Sequence, residues 1–261
     1  MPISLDDPRL EPFRHLKRTN LTRWSGRFIA EGEKVVERLL LSRFRTESVL
    51  VDESRIDVLD RLPPAEAVLV LPHADCMRLT GYDFHQGVLA GGVRSSPLAL
   101  SAVVPLQGPA AVVVAPRMTN PDNLGALLRL AAAFGVDAVM LGKGSADPLS
   151  RRALRVSMGA ALAVPTVETH DTAAMFAELR NLEMTSIATV LDPSASVLMT
   201  AARPERLAIL LGNEAHGLAE DEIAACDGSV TIPMAANADS LNVSAAAAIV
   251  LYHFLRVAGT R

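Results

Sequence analysis

Aromatic residues make up only 4% of the 261-residue chain, too few for a surface built on base stacking. Cysteine occurs twice, at Cys76 and Cys226. That spacing suits neither a zinc ligand set nor a disulfide scaffold, so no metal is expected and a reducing, cytoplasmic setting is. No apolar run approaches the ~20 residues needed to cross a membrane. The longest, residues 245–255, is interrupted by Tyr252 and His253. The first ten residues carry Asp6 and Asp7 and no apolar stretch, unlike a secretory signal. Glycine signatures are missing as well: no G-x-G-x-x-G follows a strand and there is no G-x-S-x-G elbow. Gly142-Lys143-Gly144 does not have the register of a phosphate-binding P-loop. A Rossmann dinucleotide site, a P-loop and a serine hydrolase are thus disfavoured.

What is present is ample apolar material, at 50% of the residues, enough for a packed core. The net charge of −4 hides an asymmetry. Between Arg9 and Arg45 stand ten basic and four acidic residues, a balance of +6 that leaves −10 for the remainder. A basic head on an acidic body suggests a polyanion-facing surface, although a solvated helical face would look the same.

Short strand-like and helical runs alternate along the chain, which predicts an α/β fold. Residues 13–24 have a helical look and 34–41 read as an amphipathic helix. Residues 28–30, 48–51, 67–71 and 87–93 read as strands. Pro97, Pro105 and Pro109 punctuate a connector, which divides the chain into a small α/β domain at 1–97 and a larger one at 98–261. In the second part, apolar runs at 110–114, 138–141 and 207–211 have the character of buried parallel strands, and 186–191 and 229–232 continue the pattern. Residues 241–257 close it as a helix that is apolar on every side from 245 to 251. Such a helix is buried in a core or at a subunit interface.

In open α/β sheets ligands sit beyond the carboxyl ends of the strands, so three segments stand out. After 110–114 come Asn120, Asp122, Asn123, Gly125 and Arg129, with Asp122 or Asn123 able to cap a helix. A capped helix with a surface arginine fits that spacing equally well. After 207–211 comes Gly212-Asn213-Glu214-Ala215-His216-Gly217, whose glycines permit a tight turn and close approach of backbone to a ligand. The Glu-x-His pair lacks a third ligand, so a metal is rejected. After 229–232 come Pro233, Met234, Asp239, Ser240, Leu241 and Asn242. Asp239 or Ser240 would cap the last helix, which leaves Asn242 in its first turn with an amide that must find partners.

Taken together and in this order, these segments resemble the SpoU/TrmH family of RNA ribose methyltransferases, within the SPOUT superfamily. The first carries Asn-x-x-Asn-x-Gly-x-x-x-Arg at Asn120, Asn123, Gly125 and Arg129. The second carries Gly-x-Glu-x-x-Gly-Leu at Gly212, Glu214, Gly217 and Leu218. The third carries Ile-Pro-Met at Ile232 to Met234 and Ser-Leu-Asn-Val-Ser at Ser240 to Ser244. Phe28-Ile29-Ala30-Glu31-Gly32 and His85-Gln86-Gly87-Val88 match the family's small substrate-binding domain more weakly. Ala236 stands where the family usually has glycine. The resemblance implies a parallel-sheet domain with a deep trefoil knot that binds S-adenosylmethionine, with Leu210, Gly212, Ile232, Met234 and Leu241 around the cofactor. It implies methylation of a ribose 2′-hydroxyl in structured RNA, ribosomal RNA being favoured over transfer RNA. Arg129 would be the principal catalytic residue, gripping phosphate and stabilising the emerging alkoxide, with Asn123, Glu214, Ser240 and Asn242 orienting the reactants. It further implies a homodimer through the C-terminal helix, with active sites that borrow from both subunits. The alternatives are a catalytically inactive RNA-binding module and an α/β enzyme acting on a small molecule.

Overall fold

A computed structural model describes residues 4–17, 25–235 and 240–258. In chain order its main elements are β1 (Arg27–Glu31), α1 (Glu33–Leu40), β2 (Thr46–Asp52), β3 (Val68–Leu71), α2 (His73–Thr80) and β4 (Val88–Val93). They continue with β5 (Ala110–Ala115), α3 (Pro121–Phe134), β6 (Ala138–Leu141), α4 (Arg151–Val156), β7 (Thr166–Glu168), α5 (Thr172–Asn181) and β8 (Thr185–Thr189). The last are β9 (Ser196–Val197), β10 (Arg206–Leu210), α6 (Glu220–Ala224), β11 (Gly228–Thr231) and α7 (Val243–Tyr252). None of the described helices is long and apolar enough to cross a membrane.

The chain packs as two compact units, residues 1–96 with 147–163, and residues 97–146 with 164–261. A single cut at residue 97 therefore does not describe the packing, because 147–163 groups with the first unit. That unit holds a four-stranded sheet in the order β1-β4-β2-β3. The two weakly matching motifs meet there. Gly32 takes φ +89°, donates its amide to the Val88 carbonyl at 3.0 Å, and leaves only 3.1 Å between a would-be Cβ and the Gln86 side chain. The helix expected over 13–24 differs: Pro8–Phe13 forms a 3-10 turn, Arg14 leaves it with extended backbone, and residues 18–24 lie outside the described residues.

Among the described residues of the basic head, five cations pair with carboxylates. Arg9 pairs with Asp7 at 2.6 Å, Arg14 with Glu11 at 3.0 Å, Arg27 with Glu47 at 2.6 Å and Lys34 with Glu37 at 2.6 Å. Arg38 donates to the Met158 carbonyl, Arg43 covers the Phe44 ring, and Arg45 lies 3.7 Å from Glu47. Two of these acids, Asp7 and Glu47, flank the window over which the positive balance was counted. The salt-bridged Asp7 carboxyl is held well below its usual range, at about 2, chiefly by the Arg9 hydrogen bond.

The second unit is a seven-stranded sheet in the order β7-β6-β5-β10-β8-β11-β9, and its ladders are parallel. All six residues of β5 are buried, as continuous apolar runs require in a sheet covered on both faces. Val112, Val114, Met140, Phe176, Leu179, Ala208 and Leu210 share one core. Helix α3 buries Leu124, Gly125, Leu127, Leu128 and Ala131 on one face and stops at Gly135, which takes φ +72°.

Two charged pairs tie the segment 147–163 into the first unit, Arg94 with Asp147 at 3.1 Å and Arg151 with Glu31. Arg151 donates twice to Glu31 Oε2, at 3.1 and 2.6 Å, once to the Leu16 carbonyl at 2.9 Å, and lies over the Tyr82 ring at 4.6 Å. The Glu31 side chain is only 4% exposed. Removing one partner of such a pair strands a buried charge, at a cost of about 3–5 kcal/mol. Arg151→Ala is therefore expected to lower unfolding stability by about 3 kcal/mol in denaturant titration, and Arg151→Ala with Glu31→Ala to recover part of that loss.

Candidate functional site

Three strand ends build the site. Past β10 the pairing with β5 continues for one residue, Leu211 N to Val114 O at 2.8 Å. The chain then closes a small turn in which Asn213 and Gly217 exchange both backbone hydrogen bonds at 2.9 Å. Gly212 faces this turn so closely that a Cβ would lie 2.5 Å from the Gly217 carbonyl carbon and 2.6 Å from the Leu218 nitrogen. Close approach of backbone to backbone, rather than of backbone to ligand, is what demands glycine there. Asn213 holds the turn's shape: its Oδ1 accepts from Ala215 N at 2.9 Å, and its Nδ2 donates to the Arg117 carbonyl at 2.9 Å.

Helix α3 begins one residue group earlier than expected. Its cap is Asn120, whose side chain accepts from Asp122 N at 2.8 Å, not Asp122 or Asn123. This frees Asn123. Its Nδ2 donates to Glu214 Oε1 at 3.0 Å, its Oδ1 accepts from Asn242 Nδ2 at 3.1 Å, and its carbonyl accepts from Ser244 Oγ at 3.4 Å. The other expected cap is corrected too. Helix α7 starts at Val243, and Asn242 caps it by accepting from Ser244 N at 2.9 Å. Ser240 is not the cap, and Asp239 lies outside the described residues, as does Ala236. The same Asn242 amide that caps α7 thus donates to Asn123, which accounts for both of its ends.

These loops border a cleft of about 460 Å³. Its walls include Gly212, Ile232, Met234 and Leu241 from the expected cofactor set, and Glu214, Ser240 and Asn242 from the expected catalytic set. Leu210 does not line it: its side chain is fully buried in the core, while its carbonyl accepts from Thr189 Oγ1 at 2.8 Å. Arg129 does not line it either. It lies exposed on α3 and makes no hydrogen bond or ion pair among the described residues. The sequence reading did not single out Thr189–Leu191 at the end of β8 or Ala246 and Val250 of α7, which also line the cleft. Nothing in the local sequence marks 189–191; they border the cleft because β8 lies between β10 and β11.

Among the described residues the cleft is lined by no lysine or arginine, and its fixed negative charge is Glu214. The surroundings suit an uncharged or cationic ligand with an apolar body and disfavour a polyphosphate. The volume lies within the roughly 300–1,000 Å³ of small-molecule sites. Neither cysteine is placed to act as a nucleophile there: burial pushes the Cys76 thiol up to about 12 and the Cys226 thiol up to about 11.

Within one chain the core covers only part of the last helix. It is not buried on every side: Ala247, Val250 and Leu251 are buried, whereas Ala245, Ile249 and Tyr252 are exposed. Residues 245, 249 and 252 recur at one-turn spacing and so share a face. The α-helix ends at Tyr252 and continues as a wider π-type turn over His253–Val257.

Residues 110–252 match the SpoU rRNA Methylase family. An uncharacterized tRNA/rRNA methyltransferase of Mycobacterium bovis is 37% identical over 96% of this chain and 90% of its own. The 23S rRNA (guanosine-2′-O-)-methyltransferase RlmB of Nitrosomonas europaea is 34% identical over 78% of this chain and 80% of its own. The crystal structure of the AdoMet-bound rRNA methyltransferase from Sinorhizobium meliloti aligns with a TM-score of 0.81 at 25% identity, covering 97% of this chain and 96% of that one. The match spans all three segments that converge on the cleft, and the chain belongs to the SpoU rRNA methylase family.

Proposed function

We infer that this chain is an RNA methyltransferase that joins a methyl group from S-adenosylmethionine to a ribose 2′-oxygen, with ribosomal RNA as the favoured substrate. The observation that carries the reading is the cleft at the strand ends, where the Asn123–Glu214–Asn242 network meets the apolar walls of Ile232, Met234 and Leu241. The cofactor fits this lining. Its adenine and alkyl parts suit the apolar walls, and its cationic sulfonium suits a cleft in which the described residues include a carboxylate and no lysine or arginine. The methyl donor is already activated when bound, so the chain's own work is to orient the reactants and to stabilise charge on the ribose oxygen. In the reaction a C–O bond forms at that oxygen, the methyl–sulfur bond breaks to leave a neutral thioether, and the hydroxyl proton passes to solvent water.

Within this reading Gly212, Ile232, Met234 and Leu241 bound the cofactor, and Asn123, Glu214, Ser240 and Asn242 set its rim. Arg129 is assigned to the target nucleotide, as a guanidinium fork on phosphate and on the developing alkoxide. Its absence from the cleft of its own chain supports a dimer in which it serves the cleft of a second copy. The exposed apolar face of Ala245, Ile249 and Tyr252 supports α7 as the surface buried there. The trefoil knot and a cytoplasmic setting belong to the same reading, and family membership supports the knot.

Two outcomes are expected. Arg129→Ala keeps its calorimetric S-adenosylmethionine affinity near wild type while single-turnover methyl transfer falls by about 10²-fold or more, the scale for losing one transition-state donor. Arg129→Lys rescues little of that rate. Loss of cofactor binding, or an unchanged rate, contradicts the assignment. Ile249→Asp, placing a charge on the exposed face of α7, converts a dimer to monomers in light scattering, whereas a monomeric wild-type chain at micromolar concentration rules the interface out.

A further inference from the structure

The sheet of the second unit gathers unpaired cations beside the cleft. Strands β5 and β6 are adjacent and parallel, with Ala115 opposite Leu141. Arg117 and Lys143 each follow that register pair by two residues, so they leave neighbouring strand ends at the same level. Their loops are stitched together: Met118 N donates to Ser145 Oγ at 3.1 Å and Ala146 N to the Met118 carbonyl at 2.8 Å. A third loop is tied in through Asn213 Nδ2, 2.9 Å from the Arg117 carbonyl. Gly142-Lys143-Gly144, which makes no P-loop, finds its explanation here. A Cβ on Gly142 would lie 2.1 Å from the Pro116 carbonyl oxygen, and Gly144 takes φ +86°. The glycines let the two loops touch and lift Lys143 out on a tight turn.

Arg117 and Lys143 are both exposed and make no hydrogen bond or ion pair among the described residues, unlike most cations of the basic head. Arg117 lines a small cavity together with His216 and Glu222, and His216 also lines the main cleft. The carboxylate there is engaged, since Glu222 Oε2 accepts from Ala219 N at 2.9 Å. The geometry points to a track for RNA phosphates on the strand-end loops, in which Arg117 and Lys143 grip the backbone next to the target nucleotide and His216 marks the way into the cleft. The cations stand outside the cleft and not in it, which separates polyanion binding from the site of a cationic cofactor. The inference rests on reading the cleft as an RNA methylation site, and it places part of the RNA grip on the catalytic unit itself.

The test measures binding of ribosomal RNA and of a mixed-sequence 20-mer RNA to the full chain across a potassium chloride series. Each phosphate contact to a single strand contributes about −0.7 to the slope of log affinity against log salt. Arg117→Ala and Lys143→Ala are each expected to make the slope shallower by about 0.7, and the double variant by about 1.4. Arg117→Lys should restore the slope, since a phosphate contact needs charge more than shape. S-adenosylmethionine affinity stays at the wild-type value in all of them. Unchanged slopes in both single variants overturn the track, as does a loss of cofactor affinity that accounts for the weaker RNA binding. Methyl transfer by the wild-type chain is read separately. Transfer with unchanged slopes sinks the track and leaves the methylation reading standing. Shallower slopes without any transfer keep the track and sink the methylation reading.

Discussion

Asn123, at the start of α3, offers its amide nitrogen and two oxygens to two segments far along the chain. Its Nδ2 meets Glu214 of the β10 loop, and its Oδ1 and backbone oxygen meet Asn242 and Ser244 at the start of α7. Each of these hydrogen bonds contributes roughly 0.5–1.5 kcal/mol net, and the groups are partly solvated, so the network is a small part of the fold's stability. What it fixes is position. The start of α3, the turn after β10 and the cap of α7 are held at hydrogen-bonding distance, and the cleft is the space they enclose. Everything proposed for this protein's chemistry depends on that enclosure.

The charge pattern around the cleft follows from what each part must hold. An interior whose described residues include Glu214 and no lysine or arginine suits a cationic sulfonium and disfavours polyphosphates. RNA needs the opposite, and its cations stand on the loops after β5 and β6. In the first unit five cations of the head, from Arg9 with Asp7 to Arg45 with Glu47, pair with carboxylates among the described residues. The charge balance of the window overstated that surface because two of the pairing acids, Asp7 and Glu47, lie just beyond its ends.

Much of the second unit was legible in the sequence. Its strands are short apolar runs buried on both faces, and the residues following three of them are the ones that meet at the cleft. Glu214, Asn123 and Asn242 were singled out by pattern, and Asn123 bonds both of the others. Other features could not be read that way. Whether Asn120 or Asn123 caps α3, and Ser240 or Asn242 caps α7, depends on which amide has a better partner across the fold. The part played by Thr189–Leu191 depends on the order of strands in the sheet, which no local motif encodes. The exposed side of α7 was hidden because alanine and isoleucine look alike at a core and at an uncovered face. Gly212 was read as allowing a tight turn and close approach to a ligand; backbone packing against Gly217 and Leu218 already requires it.

The central claim is the transfer of methyl from S-adenosylmethionine to a ribose oxygen of RNA. The most direct measurement incubates the full chain with methyl-labelled S-adenosylmethionine and ribosomal RNA from cells lacking its gene, then digests the RNA in alkali. Alkaline cleavage needs a free 2′-hydroxyl, so a ribose methyl protects the next phosphodiester. The account predicts label in alkali-stable dinucleotides. Label released in mononucleotides would place the methyl on a base, and RNA left without label would remove the transferase reading altogether.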